Sequence, residues 1–286
     1  MIPKTIHQIW FQGEDKIPPH LKEYHKTWVE LNPNYEVLVW DEIKIDKLLT
    51  AFPDKKIVEM YKNYKYMIQK IDLAKYIILY MYGGTYIDMD MKCLKSLDSV
   101  IKDDSEIIVS NMPSNFFHRV FFTFGGYDFF SDMINNGVII TIPQHPLIYD
   151  IIQTCYKNKD SSLDTYNKSL YVFYTTGPVC VSASIHKYMR ETEGSNIEIL
   201  DNTYFEACDR TNIKTEDCKP PEHAIGVHIF ENSWLTTGES TIVQVFIAFY
   251  RNWMYVLLLI VAVYGTYRLF KSKVITPQKF FSMFRR

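Results

Sequence analysis

Residues 66–92 read YMIQKIDLAKYIILYMYGGTYIDMDMK: an apolar segment, a double glycine, then a short apolar run ending in two carboxylates. In the first part Ile68, Ile71, Ile78, Leu79 and Tyr82 fall on one broad helical stripe, and Gly83 and Gly84 supply the left-handed stop that ends a helix. TYIDMDM then reads as a strand, on which Asp88 and Asp90 would project from the same face. Two carboxylates side by side repel each other unless a cation lies between them. Hard carboxylate oxygens select Mg²⁺ or Mn²⁺, ions that commonly clamp the phosphates of a nucleotide.

The surrounding chain places this unit in an α/β fold. KTIHQIWF (residues 4–11) and EVLVWD (36–41) read as buried strands, and HLKEYHKTWVEL (20–31), preceded by Pro18 and Pro19, reads as a helix between them. Further strands are expected at EIIVS (106–110) and GVIITI (137–142). An α/β sheet presents ligands beyond the carboxyl ends of its strands, which is where the aspartate pair falls.

With 31 basic and 33 acidic side chains and a net charge of −2, the chain carries no basic surplus for nucleic acid. The five cysteines include no C-x-x-C pair, which argues against a structural zinc site. Cys208 and Cys218 could close a short loop if the domain sits in an oxidising lumen. Asn167-Lys168-Ser169 is a glycosylation triplet that would matter in the same compartment.

The C-terminus has a different character. WMYVLLLIVAVYGTYRLF (253–270) carries a single charge, Arg268. At about 1.5 Å per residue it spans most of a hydrocarbon core. Aromatic residues at both ends and the basic tail that follows fit a transmembrane helix better than a buried core helix. The expected organisation is a catalytic domain over 1–241, a membrane-proximal segment over 242–252, the transmembrane helix over 253–270 and a basic tail over 271–286. The positive-inside rule puts that tail in the cytosol and the main domain across the membrane. Yet MIPKTIHQIWF, at the start, is too short and polar for the core of a signal peptide. Orientation is therefore left open.

The run IQKIDLAKYIILYMYGGTYIDMDMKCLKSLD resembles the defining segment of the family 32 DXD sugar-binding glycosyltransferases. These include initiation mannosyltransferases and mannosyl-inositol-phosphorylceramide synthases, with clostridial glucosylating toxins as more distant relatives. IPKTIHQIW, NNGVIITIPQHP, TTGPVCVSAS and HIFENSW resemble further family segments in the same order, so the likeness covers roughly residues 3–235. It implies a GT-A fold, a Rossmann-like mixed sheet flanked by helices. It also implies a Mn²⁺ or Mg²⁺ cofactor, a nucleotide-sugar donor (GDP-mannose or a UDP-hexose) and retention of the anomeric configuration.

Carried onto this chain, the resemblance assigns Trp10 to the nucleotide base, Tyr86 to the diphosphate side, and Asp88 to the ribose or a metal-bound water. Asp90 becomes the direct metal ligand and His228 the last one, where toxin-like relatives would use Asn232 or Ser233. Asp72 would hold sugar hydroxyls and Lys75 would contact the donor. The family usually has Arg at that position, and an ammonium cannot make the bidentate fork of a guanidinium. Asn136 is open between sugar contact and strand-edge hydrogen bonding. Blander roles exist: Trp10 as a core aromatic, Asp72 and Lys75 as a surface helix pair, His145 as a turn residue.

The expected function is metal-dependent hexosyl transfer to a membrane-associated lipid or glycan, inositol-phosphorylceramide-like as the first specific choice, by a single-pass protein of the ER or Golgi membrane. A membrane-tethered domain that binds without turnover is the alternative. An aspartate-nucleophile phosphohydrolase would need Thr or Val where the chain has Lys92.

Overall fold

The computed structural model describes residues 1–113, 119, 123, 132–208, 218–231, 263, 264 and 268. The chain divides into two compact units, Met1–Trp234 and Leu235–Arg286. The elements named below all lie in the first unit. Asn232, Ser233 and nearly all of the expected transmembrane segment lie outside the described residues. Among the described residues no helix is long and apolar enough to cross a membrane.

The first unit is built on a six-stranded sheet in the order β2-β1-β3-β6-β5-β7. Its strands are β1 (Thr5–Ile9), β2 (Glu36–Trp40), β3 (Gly84–Ile87), β5 (Ile107–Asn111), β6 (Ile134–Thr141) and β7 (Ile197–Leu200). β1 pairs in parallel with β2 and β3, and β5 with β7, while β6 runs antiparallel to both β3 and β5. A second sheet pairs β4 (Met91–Cys93) with β8 (Gly226–His228). Helices α1 (Pro19–Leu31), α2 (Glu42–Ala51), α3 (Lys55–Asn63), α4 (Met67–Tyr82), α5 (Pro146–Asn158), α6 (Lys168–Thr175) and α7 (Pro178–Glu191) accompany the strands. This is the mixed α/β architecture expected from the sequence.

Helix α4 departs from the single-stripe expectation. Every residue from Asp72 to Leu79 is buried, whereas Tyr82, which falls on the same apolar stripe as Ile78 and Leu79, is 48% exposed. The reason is packing on several sides: α4 lies against β1 and β3 and also against α3, α5 and α6. Two glycines end the helix as expected, with φ of +65° at Gly83 and +87° at Gly84. They are fixed by space as well as by φ, since a Cβ would lie 2.5 Å from Pro143 N at Gly83 and 2.6 Å from Thr5 O at Gly84.

The aspartate pair is not on a strand. β3 ends at Ile87 and β4 begins at Met91, so Asp88-Met89-Asp90 forms the turn where the chain leaves one sheet for the other. Met91 N donates to Asp88 O at 3.2 Å across that turn. The two carboxylates therefore converge because of a change of sheet, not because of strand periodicity. Trp28 of α1, fully buried, fixes the exit by donating Nε1–H to Met91 O at 2.7 Å.

Cys208 and Cys218 form a disulfide, and Cys208 packs with Val227 and Ile229 at β8. His145 is a structural N-cap, its Nδ1 accepting from Leu147 N at 3.1 Å. Asn167 caps α6 by accepting from Leu170 N.

Candidate active site

Three elements meet at the Asp88–Asp90 turn. The first is the turn itself, with Asp88 N donating to Gly137 O of β6 at 2.9 Å. The second is the end of β8, where Ile229 N donates to Asp90 O at 3.0 Å and Glu231 N to Asp90 Oδ2 at 2.9 Å. The third is the buried middle of α4. Asp88, Asp90 and His228 each offer one ligand atom, and these atoms all lie within 4.8 Å of one another. Two carboxylate oxygens and one imidazole nitrogen form a donor set suited to a divalent first-row ion.

The electrostatics suit a cation. His228 Nε2 lies 3.3 Å from Asp90 Oδ1. Burial disfavours the Asp90 carboxylate, but the His228 ring and the Glu231 amide outweigh it and hold the pKa at about 2. For His228 burial likewise opposes charge, and Asp90 and Glu206 overcome it, raising the pKa to about 10. Each of the two groups thus favours the charged form of the other.

Beneath Asp88 lies a sealed polar cluster. Lys75 Nζ is 2.8 Å from Asp72 Oδ1 and 3.7 Å from Asp88 Oδ1, and it donates to Asn136 O at 3.2 Å. Asp72 also accepts from Asn136 Nδ2 at 3.2 Å and Thr176 Oγ1 at 2.9 Å. Burial pushes the Asp72 carboxyl upward, opposed by Lys75 and Thr176. Burial acts against the Lys75 ammonium too, yet Asp72 and Asp88 hold its pKa above the ordinary lysine range. Three donors converging on Asp72 are the surroundings of a carboxylate, so the pair is read as ionised. Tyr86 donates its hydroxyl to Asp88 Oδ1 at 2.9 Å, and burial together with that carboxylate keeps the phenol protonated.

The expected site residues are accordingly brought together around one turn, with two changes of emphasis. Asp72 and Lys75 share a helix face as expected, but their side chains are only 4% and 2% exposed, which excludes a surface pair. Lys75 meets Asp88 rather than open space, so its charge reaches the site through that carboxylate. Asn136 is half-buried and bonds Asp72 and Tyr76 Oη. Trp10 follows β1 and packs with Ile17, Leu21, Val39 and Met89, the residue between the two aspartates. Its indole N–H is buried with no acceptor among the described residues.

Sequence reading missed Thr176, Asn135, Gly137 and Glu206. The first three lie in segments singled out for their motifs, TTGP and NNG. Gly137 is sterically required: a Cβ there would lie 2.7 Å from Asp88 Oδ2 and 3.0 Å from Asn135 Oδ1. Glu206 belongs to no such segment.

Residues 18–106 match the family described as a glycosyltransferase sugar-binding region containing the DXD motif. An uncharacterised glycosyltransferase of Acanthamoeba polyphaga mimivirus is 31% identical over 216 residues, covering 75% of this chain and 76% of that protein. Inositol phosphoceramide mannosyltransferase 2 of Schizosaccharomyces pombe is 29% identical over 67% of this chain and 48% of its own length. A mannosyl phosphorylinositol ceramide synthase of Saccharomyces cerevisiae is 30% identical over 72% of this chain and 48% of its own. The chain thus spans about half the length of these two relatives. The DXD turn lies inside the matched segment, and the likeness to the viral protein covers most of both chains: this chain belongs to the glycosyltransferases whose sugar-binding region contains the DXD motif.

Proposed function

We propose that the chain is a metal-dependent, retaining hexosyltransferase with a GT-A catalytic unit. It takes a nucleotide-sugar donor, GDP-mannose in first place and a UDP-hexose in second, and transfers to a membrane-associated acceptor of the inositol-phosphorylceramide type. The observation that carries this reading is the convergence of Asp88, Asp90 and His228 ligand atoms within 4.8 Å at a sheet-to-sheet turn. Mannose and the sphingolipid acceptor are supported by the names of the relatives. Attachment through a helix over 253–270 belongs to the same proposal and rests on the apolar sequence there.

A divalent ion bound by Asp88, Asp90 and His228 would supply positive charge to the diphosphate as its bond to the sugar breaks. The protein's own part is orientation. Tyr86 and Lys75 hold Asp88 from below, and the Glu231 amide holds Asp90. Trp10, beside Met89, offers its ring to the nucleotide base. Asn136, positioned by Asp72, faces the sugar hydroxyls, and Asp72 itself acts through Asn136 and Lys75 because its near donors are all internal.

The test is donor cleavage by the full chain with Mn²⁺ and a panel of GDP- and UDP-sugars, reading released nucleoside diphosphate for wild type and Asp90→Ala. Cleavage of one donor, lost in the variant and on chelation, is expected. If the panel is neither cleaved nor bound in a metal-dependent way, the proposal fails and the non-catalytic alternative stands.

A further inference from the structure

Glu206 is a carboxylate enclosed at the back of the site. It lies opposite Val227 in an isolated bridge to β8, next in sequence to His228, and its backbone is fixed by donation from Glu206 N to Asn202 O at 2.7 Å. Its side chain is 1% exposed. Oε1 accepts from Asn135 Nδ2 at 2.8 Å, whereas Oε2 is buried with no partner among the described residues. A buried carboxylate is costly unless something cationic or donating faces it.

What faces it is His228. Nδ1 of that ring is 3.7 Å from Glu206 Oε1 and is itself buried without a hydrogen-bond partner, while Nε2 on the other side points to Asp90. The unpartnered Nδ1 thus lies beside the Glu206 carboxylate, on the side of the ring away from Asp90. A ligating histidine commonly donates its second ring N–H to a carboxylate, which sets the tautomer and leaves the other nitrogen's lone pair for the metal.

We propose that Glu206 is the positioning residue for His228: it accepts the Nδ1–H, keeps the ring from turning, and presents Nε2 to a divalent ion shared with Asp88 and Asp90. Asn135 sets Glu206, and the same Asn135 accepts from Gly137 N at 2.7 Å, next to the strand position that holds Asp88. One β6 side chain therefore ties the histidine half of the site to the aspartate half. The inference rests on the metal-binding reading above.

The experiment is Mn²⁺ titration of the full chain, followed by electron paramagnetic resonance of the free ion, alongside thermal unfolding of the metal-free protein. Glu206→Gln is expected to weaken Mn²⁺ binding about tenfold or more, with metal-free unfolding little changed. Glu206→Asp, which keeps the charge, should retain more affinity than the Gln variant. A smaller loss, or a loss matched by an equal fall in metal-free stability, overturns the positioning role. If Glu206→Gln does not fold, Asn135→Ser removes the donor that sets Glu206 and carries the same expectation and the same refutation. Failure of the underlying reading looks different: wild type would then bind no Mn²⁺, or Asp90→Ala would bind it equally well.

Discussion

The ammonium of Lys75 lies 2.8 Å from Asp72 Oδ1, one helical turn away, with both side chains closed off from solvent. A buried pair of this kind is no general source of stability, since desolvation offsets the attraction. Breaking one half is another matter. Lys75→Met leaves Asp72 and Asp88 without their shared cation and should cost about 3–5 kcal/mol in urea unfolding. The double variant Asp72→Asn with Lys75→Met should recover part of that loss. Two single losses that simply add would show that the residues do not act as a pair.

Gly137→Ala tests whether the space beside Asp88 is required. The added Cβ would meet Asp88 Oδ2 at 2.7 Å, so the carboxylate must move. We expect Mn²⁺ affinity to fall by about tenfold, as for other disturbances of the groups that orient metal ligands. The substitution acts through contact alone, because Gly137 is not among the glycines with positive φ. Unchanged Mn²⁺ titration would refute the steric argument.

His7 gives the fold an acid sensitivity. Its Nε2–H donates to Gly83 O at 3.0 Å and its Nδ1 accepts from Trp40 Nε1 at 3.1 Å, so the neutral ring satisfies both neighbours. Burial pushes its pKa down to about 4, the Gly83 bond acting the other way. The unfolded chain, with an ordinary histidine near 6.5, takes up the proton first. Stability is therefore complete above about pH 6.5 and is lost as pH falls toward 4, by about 3 kcal/mol in all. Urea midpoints between pH 7.5 and 4.5 should shift less in His7→Gln than in wild type.

Reducing the Cys208–Cys218 bond reopens a loop with a sequence separation of 10. The entropy of closing such a loop is about 2–3 kcal/mol. Because Cys208, two residues after Glu206, packs on Val227 and Ile229, reduction should also weaken Mn²⁺ binding. Titration with and without dithiothreitol measures both effects. An undiminished affinity would separate the disulfide from the site.

Much of the candidate site is legible in the chain itself. A helix whose last residue precedes two glycines, a short apolar strand and Asp-Met-Asp are all contiguous, and local spacing is enough to place them in order. Asn-Asn-Gly on β6 and His228 near the closing Ser-Trp segment were marked by the family resemblance, not by local spacing. Residue type also limited the chemistry, since paired carboxylates point to a hard divalent ion.

Tertiary structure decided the rest. Periodicity put Asp88 and Asp90 on one strand, but β3 pairs with β1 and β6 whereas β4 pairs with β8, and that division of partners turns the DMD segment into a corner. Spacing on α4 could show that Asp72 and Lys75 share a face; only the neighbouring Thr176, Asn136 and Tyr86 show that the pair is sealed beneath Asp88. Glu206 had no local signature because its meaning comes from His228 and Asn135, which are 22 and 71 residues away along the chain and within 3.7 Å in space. The sequence alone determined which chemical groups the site could draw on and the local elements that carry them. Which groups face one another, and which are shut away from water, depended on strand pairing between distant segments, an interaction that no local spacing encodes.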